Sequence, residues 1–190
     1  MTNLNLPGRM NDPAVNAGND IRPGHDQKDG SIRAAAIRVL YLDDEPNLLE
    51  IGKIFLEDSG DFEVTTTMKG TDALQLLEKE QFDAIISDYQ MPGMDGIQFL
   101  AEVRNRFGRI PFILFTGRGR EEVVIQAINS GADFYLQKGG EPTAQFAELS
   151  HKIRQATSRK KAEDSLRNSE EQYRHLVEHS DEPKIGRAHV

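Results

Sequence analysis

Hydrophobic positions in this chain fall into short continuous runs that alternate with helical spacings, and the alternation begins only at Ile37. Arg38–Leu42 (RVLYL) is an apolar run ending in Asp43-Asp44-Glu45-Pro46. Pro46 suits a first helical turn, and Leu48, Leu49, Ile51, Ile54, Phe55 and Leu56 then recur with helical spacing. Ser59-Gly60 stops that helix. Phe62–Thr67 is β-branched and strand-like. Gly70 precedes a second helical pattern built on Ala73, Leu74, Leu76 and Leu77. Phe82–Ser87 (FDAIIS) reads as a buried strand that ends at Asp88. Met91-Pro92-Gly93 marks a loop, and Ile97, Leu100, Val103 and Phe107 give one helix face. Pro111–Phe115 is another apolar strand, ending in Thr116-Gly117. Val123, Val124, Ala127 and Ile128 form the next helix, closed by Ser130-Gly131. Asp133–Leu136 is a short strand ending near Lys138-Gly139-Gly140, and from Thr143 a long helical pattern runs through Phe146, Leu149 and Ile153.

Strands thus alternate with helices over residues 37–156. The strands are continuously apolar, the mark of a parallel sheet covered on both faces. The pattern predicts an α/β domain with a doubly wound five-stranded parallel sheet. Ligands of such sheets sit beyond the C-terminal strand ends, at the switch point in strand order.

Outside that domain the composition changes. Residues 1–36 are rich in Asn, Asp, Gly and Pro and have few large apolar side chains. Such a segment buries too little surface to offset its chain entropy and is expected to be a disordered leader. Residues 157–184 are highly charged and predict a linker helix. Ala162, Leu166, Ser169, Tyr173 and Leu176 recur at heptad-like intervals, which suits pairing with a second copy; an ordinary solvated helix fits the stretch equally well. Ile185–Val190 (IGRAHV) is expected to be a non-native tail, because it looks like translated sequencing adapter.

Net charge is −8, which argues against a nucleic-acid surface. No apolar run is long enough to span a membrane, and cysteine is absent, which excludes disulfides and thiolate metal sites. A cytoplasmic location is expected.

The polar residues at the strand ends carry the candidate chemistry. Asp43 and Asp44 follow the first strand, Asp88 the third, Thr116 the fourth and Lys138 the fifth. Each has a plainer use when taken alone. Asp44 suits a helix N-cap, Asp88 a turn, and Lys138 an exposed turn before Gly-Gly. Folding would nevertheless gather all of them on one sheet edge. Carboxylates about 5 Å apart repel by roughly 3 kcal/mol per pair at an effective dielectric near 20. A raised pKa or a bound cation relieves this. An all-oxygen site with open positions suits Mg²⁺. A carboxylate beside that ion can attack phosphorus to form an acyl phosphate, with Lys138 and the Thr116 hydroxyl placed to meet phosphoryl oxygens.

Four stretches then resemble the receiver domains of two-component response regulators: VLYLDDEP (Val39–Pro46), DAIISDYQMPGMDG (Asp83–Gly96), PFILFTGRG (Pro111–Gly119) and GADFYLQKG (Gly131–Gly139). The resemblance implies a flavodoxin-like (βα)5 fold with strand order 2-1-3-4-5, an order the fold class is known for. It implies Asp88 as phosphoacceptor. It implies Mg²⁺ held by Asp43, Asp44, Asp88 and the backbone carbonyl of Gln90. Lys138 and Thr116 would contact the phosphoryl group, with Thr116 and Tyr135 acting as the switch. Gln90 and Arg118 would tune the phosphoryl lifetime. A histidine kinase or phosphotransfer protein is the implied donor. Ser169–Glu182 (SEEQYRHLVEHSDE) resembles the opening of a PAS sensor domain, so a receiver–PAS or hybrid kinase arrangement is expected. One departure stands out: Gly139-Gly140 replaces the proline usual after the lysine, and a looser loop is expected there.

Two other functions fit parts of the pattern. A phosphatase of the haloacid dehalogenase type also uses an Asp nucleophile, but it needs a second Asp where this chain has Gln90. A phosphorylation-independent binding module would leave the acidic set without a task. The chain is therefore expected to catalyse only its own phosphorylation and dephosphorylation.

Overall fold

The structure, a computed structural model, describes residues 35–117 and 121–180. The expected leader through residue 34, Arg118 and the tail 185–190 lie outside the described residues. The elements run β1 (Ile37–Leu42), α1 (Pro46–Glu57), β2 (Phe62–Thr67), α2 (Gly70–Lys79), β3 (Ala84–Ser87), α3 (Gly96–Arg106), β4 (Phe112–Thr116), α4 (Glu121–Asn129), β5 (Phe134–Gln137) and α5 (Pro142–Ser180). The five strands form one parallel sheet in the order β2-β1-β3-β4-β5. The doubly wound parallel sheet is the one the pattern predicts, and its flavodoxin-like order is the one the resemblance implies.

Successive side chains of a strand point to opposite faces, so each apolar strand feeds two cores. Leu40, Leu42, Ile85, Phe112 and Leu114 pack with Leu74, Leu77, Phe99, Leu100, Val103, Val123 and Ala127, which places α2, α3 and α4 on one face. Val39, Tyr41, Ile86, Ile113 and Phe115 pack with Leu49, Leu56, Phe146, Leu149 and Ile153, which places α1 and α5 on the other.

The helical spacing in α1 is real, but its buried stripe is narrower than the apolar residues suggest. Leu49, Gly52 and Leu56 are buried, whereas Ile51, Ile54 and Phe55 lie on an exposed flank. Phe55 covers part of that flank by stacking on Phe146 at 5.2 Å between ring centroids. In α4, Ile128 is likewise exposed. The helix α3 begins with a capping box: the Asp95 carboxylate accepts from the Ile97 and Gln98 N–H groups, and Gln98 Oε1 accepts from the Asp95 N–H.

The helix α5 runs without a break through residue 157, and its first half is fastened to the N-terminal side of the sheet. Arg154 pairs with Asp61 at 2.8 Å, and Arg159 pairs with Asp133. The Asp133 carboxylate also accepts from the Phe112 N–H at 2.8 Å. Beyond this, Leu166, Tyr173 and Leu176 are exposed. Among the described residues no helix is long and apolar enough to cross a membrane.

Gly96 marks where α3 comes nearest to the strand-end chemistry. A Cβ there would lie 2.3 Å from the Asp88 carbonyl oxygen and 2.8 Å from Leu114 Cδ1. Gly96→Ala is expected to cost about 2–3 kcal/mol through overpacking. Urea denaturation checks this: the midpoint should fall with the slope unchanged.

Candidate functional site at the C-terminal sheet edge

Strand register brings the polar residues together. Leu42 is level with Ser87 across the β1–β3 pair, so Asp43 and Asp88 leave the sheet side by side. The Asp88 N–H donates to the Leu42 carbonyl at 2.9 Å. Thr116 is level with Gln137 across the β4–β5 pair, and the Lys138 N–H donates to the Thr116 carbonyl at 2.8 Å. Asp44, Glu45, Asp88, Gln90, Thr116, Gly117 and Lys138 line a cleft of about 450 Å³.

Lys138 is the cation of the site. Its Nζ lies 2.6 Å from Asp43 Oδ2 and 3.1 Å from Asp88 Oδ1, and 5.9 Å from the centre of the Phe115 ring. Asp43 is fully buried and Asp88 nearly so. Asp43 Oδ1 accepts from the Glu45 N–H at 3.1 Å. Asp88 Oδ2 accepts from the Gln90 N–H at 2.9 Å. Asp88 Oδ1 is buried, and its partner is Lys138 Nζ, which reaches it at 3.1 Å. Ligand oxygens of Asp43, Asp44 and Asp88 lie within 4.8 Å of one another.

Among the described residues the charges do not balance: three carboxylates face one lysine, in a partly dry site where repulsion is weakly screened. Burial raises the pKa of Asp43, and neither its Lys138 hydrogen bond nor the Glu45 N–H fully offsets this. Burial alone would lower the pKa of Lys138, but the hydrogen bond and charge of Asp43, with the charge of Asp88, outweigh it and the net shift is upward. A cluster of three hard oxygen ligands within 4.8 Å of one another, short of positive charge, fits a divalent cation.

The other residues named from the sequence take definite places. Thr116 is buried at the strand end. Tyr135 sits in β5 level with Leu114. Its hydroxyl is buried with no hydrogen-bond partner among the described residues, and burial raises its pKa. The loop after Lys138 has a definite anchor. The Gly139 N–H donates to Gln145 Oε1 at 2.6 Å, a bond proline cannot make. Gly139 has φ near 145°, which side-chain-bearing residues rarely adopt.

Sequence reasoning missed Tyr41 and Phe115 as neighbours of the site. The Tyr41 hydroxyl donates to Asp43 Oδ2 at 3.3 Å. The available signal was the two-residue period of β1, which puts Tyr41 and Asp43 on one face.

Comparison with known proteins agrees with this geometry. The family model for the response regulator receiver domain matches residues 39–168. The response regulator Rre1 of Synechocystis is 40% identical over 111 residues, covering 57% of this chain and 48% of that protein. The response regulator SaeR of Staphylococcus aureus is 34% identical over 104 residues, covering 55% of this chain and 45% of that protein. The chain thus spans about half the length of these curated relatives. Among solved structures, a receiver domain protein of Clostridium thermocellum superposes with a TM-score of 0.60 at 31% identity, covering 66% of this chain and 98% of its own. The chemotaxis response regulator CheY4 of Vibrio cholerae superposes with a TM-score of 0.57 at 28% identity, covering 62% and 98%.

Removing Lys138 should be costly. Lys138→Met leaves buried carboxylates uncompensated, and is expected to lose about 3–5 kcal/mol at neutral pH. Because the folded pKa of Lys138 is raised, its contribution is complete below the unfolded value near 10.4 and disappears as pH rises through the folded value. Urea midpoints measured from pH 7 upward should show the gap between wild type and Lys138→Met closing only in that alkaline window.

Proposed function

The chain belongs to the response regulator receiver domain family, and we propose that it is a phosphorylation switch in which Asp88 accepts a phosphoryl group from a histidine kinase or phosphotransfer protein. The observation that carries this is the buried Asp88 carboxylate, gathered in one cleft with Lys138 at 3.1 Å and the carboxylates of Asp43 and Asp44. An Asp88 oxygen attacks phosphorus. The new O–P bond forms as the bond from phosphorus to the donor nitrogen breaks, and the leaving imidazole retains that electron pair and takes a proton. The product is an acyl phosphate on Asp88. Lys138, already between Asp43 and Asp88, meets the negative charge of the incoming group, and the Thr116 hydroxyl donates to another of its oxygens.

The carboxylates of Asp43, Asp44 and Asp88, with the backbone carbonyl of Gln90, would hold Mg²⁺. When bound, the ion neutralises charge on the phosphoryl oxygens and on the crowded carboxylates. The side chains of Gln90 and Arg118 would set how long the phosphoryl group lasts. Gln90 lines the cleft, which supports its part of that role.

The readout would run through Thr116 and Tyr135. A buried hydroxyl with no partner is an unstable arrangement, so the Tyr135 phenol gains by a small inward rearrangement when Thr116 is drawn to phosphate. That biases a two-state surface around α4, β5 and α5. The exposed Leu166, Tyr173 and Leu176 of α5, at heptad-like spacing, support pairing of two copies through that helix. The PAS-like stretch that begins at Ser169 supports a sensor module beyond it. A cytoplasmic location goes with a kinase donor. The chain would turn over no external substrate, since Gln90 stands where a dehalogenase-type phosphatase has its general acid.

Intact mass after incubation with acetyl phosphate and Mg²⁺ tests the switch. Wild type should gain one phosphoryl group, and Asp88→Asn should gain none. Steady release of phosphate from a chromogenic ester would instead favour the enzyme. Sedimentation of the full chain should show a concentration-dependent dimer that Leu166→Glu/Leu176→Glu abolishes; equal behaviour of the two proteins would rule out pairing through α5.

A further inference from the structure

Tyr41 is an odd residue for its place. The strand β1 is otherwise aliphatic over Val39, Leu40 and Leu42, and Tyr41 is fully buried in the core formed with Ile86, Phe115 and Phe146. A buried phenol needs a hydrogen-bond partner. This one finds Asp43 Oδ2 at 3.3 Å, the same oxygen that Lys138 Nζ approaches to 2.6 Å. The helix α1 is shaped to admit the ring: a Cβ on Gly52 would fall 2.6 Å from Tyr41 Cε1 and 3.0 Å from Phe146 Cε1. Two elements therefore cooperate to press the phenol against the acidic site.

Asp43 has three donors. Glu45 N–H serves Oδ1, while Lys138 and Tyr41 share Oδ2. If Lys138 moves to a phosphoryl oxygen, a fully buried carboxylate oxygen loses its short, charged donor. Leaving such an oxygen bare is costly. The phenol stays where it is, because its ring is locked by packing against Gly52 and Phe146, and its O–H remains a donor.

We propose that Tyr41 is a positioning residue for the acidic site: its hydroxyl fixes Asp43 and keeps Oδ2 hydrogen-bonded when Lys138 transfers to the phosphoryl group. The inference rests on the reading of Asp88 as a Mg²⁺-dependent phosphoacceptor and extends it to a residue outside the cleft. Outer partners of ligating carboxylates typically change metal affinity when removed.

Tyr41→Phe tests it in the full chain, because it deletes the hydroxyl and keeps the ring. Mg²⁺ binding is measured by isothermal titration with MgCl₂. Phosphorylation is followed against acetyl phosphate concentration at saturating Mg²⁺. The Mg²⁺ Kd should weaken about tenfold. The saturating phosphorylation rate should fall several-fold, with the half-saturating donor concentration unchanged. A variant that matches wild type in both, and differs only in melting temperature, would reduce Tyr41 to a satisfied core phenol and overturn the inference. Tyrosine ring-carbon NMR of the wild type gives a readout that does not depend on the variant folding. One of the four tyrosine signals should move on adding Mg²⁺, and none moving would also overturn it. Wild type that binds no Mg²⁺ and takes up no phosphate would overturn the underlying reading as well; wild type that does both beside an unaffected Tyr41→Phe would overturn this inference alone.

Discussion

Among the described residues three carboxylates share a small, partly dry volume with a single lysine, and most of what surrounds them can be understood as a way of tolerating that imbalance. Asp43, fully buried, takes a short hydrogen bond from Lys138, a second from Tyr41 and a third from the Glu45 N–H. Asp88 receives the Gln90 N–H and the charge of Lys138. These contacts hold the carboxylates apart from water without neutralising them. What remains is a standing attraction for positive charge and for a group that brings a cation with it. In this view the chemistry is a consequence of electrostatic shortfall more than of any one residue.

The fold supplies that shortfall by register. A parallel sheet covered on both faces forces its strand ends onto one edge, and the pairing of Leu42 with Ser87 makes the two aspartates neighbours. The same sheet links the two ends of β5. At one end Lys138 faces the carboxylates. At the other, Asp133 just before the strand joins Arg104 from α3 and Arg159 from α5. The strand β5 thus carries Lys138 of the site at one end and, through Asp133, a contact with α5 at the other.

Much of this was legible in the sequence, for identifiable reasons. Runs such as FDAIIS and PFILFT can only be buried strands, and each ends in a polar residue where chain topology must place a site. The α/β architecture and the cluster of Asp43, Asp44, Asp88, Thr116 and Lys138 follow from that, whereas the strand order came from the resemblance to receiver domains. Other features were not legible. Ile51, Ile54 and Phe55 have the spacing of core residues, yet α1 turns Gly52 to the sheet and leaves them outside, because close approach to Tyr41 cannot be read from apolar count. The Gly139-Gly140 pair suggested a slack loop, but the Gly139 N–H is bonded to the Gln145 side chain six residues on, and side-chain partners of that kind leave no periodic trace. Tyr41 looked like one more strand residue until its hydroxyl was seen to meet Asp43.

The most direct measurement is a crystal structure of the full chain grown with Mg²⁺ and beryllofluoride, a stable mimic of the acyl phosphate. Beryllium should be bonded to an Asp88 carboxylate oxygen, with Mg²⁺ bound by Asp43, Asp44, Asp88 and the Gln90 carbonyl. Lys138 Nζ should have left Asp43 Oδ2 for a fluoride, and the Tyr41 hydroxyl should remain on that oxygen. A complex with Asp88 unmodified, or with beryllofluoride bound away from the Asp43–Asp44 pair, would contradict a shared site for cation and phosphoryl group.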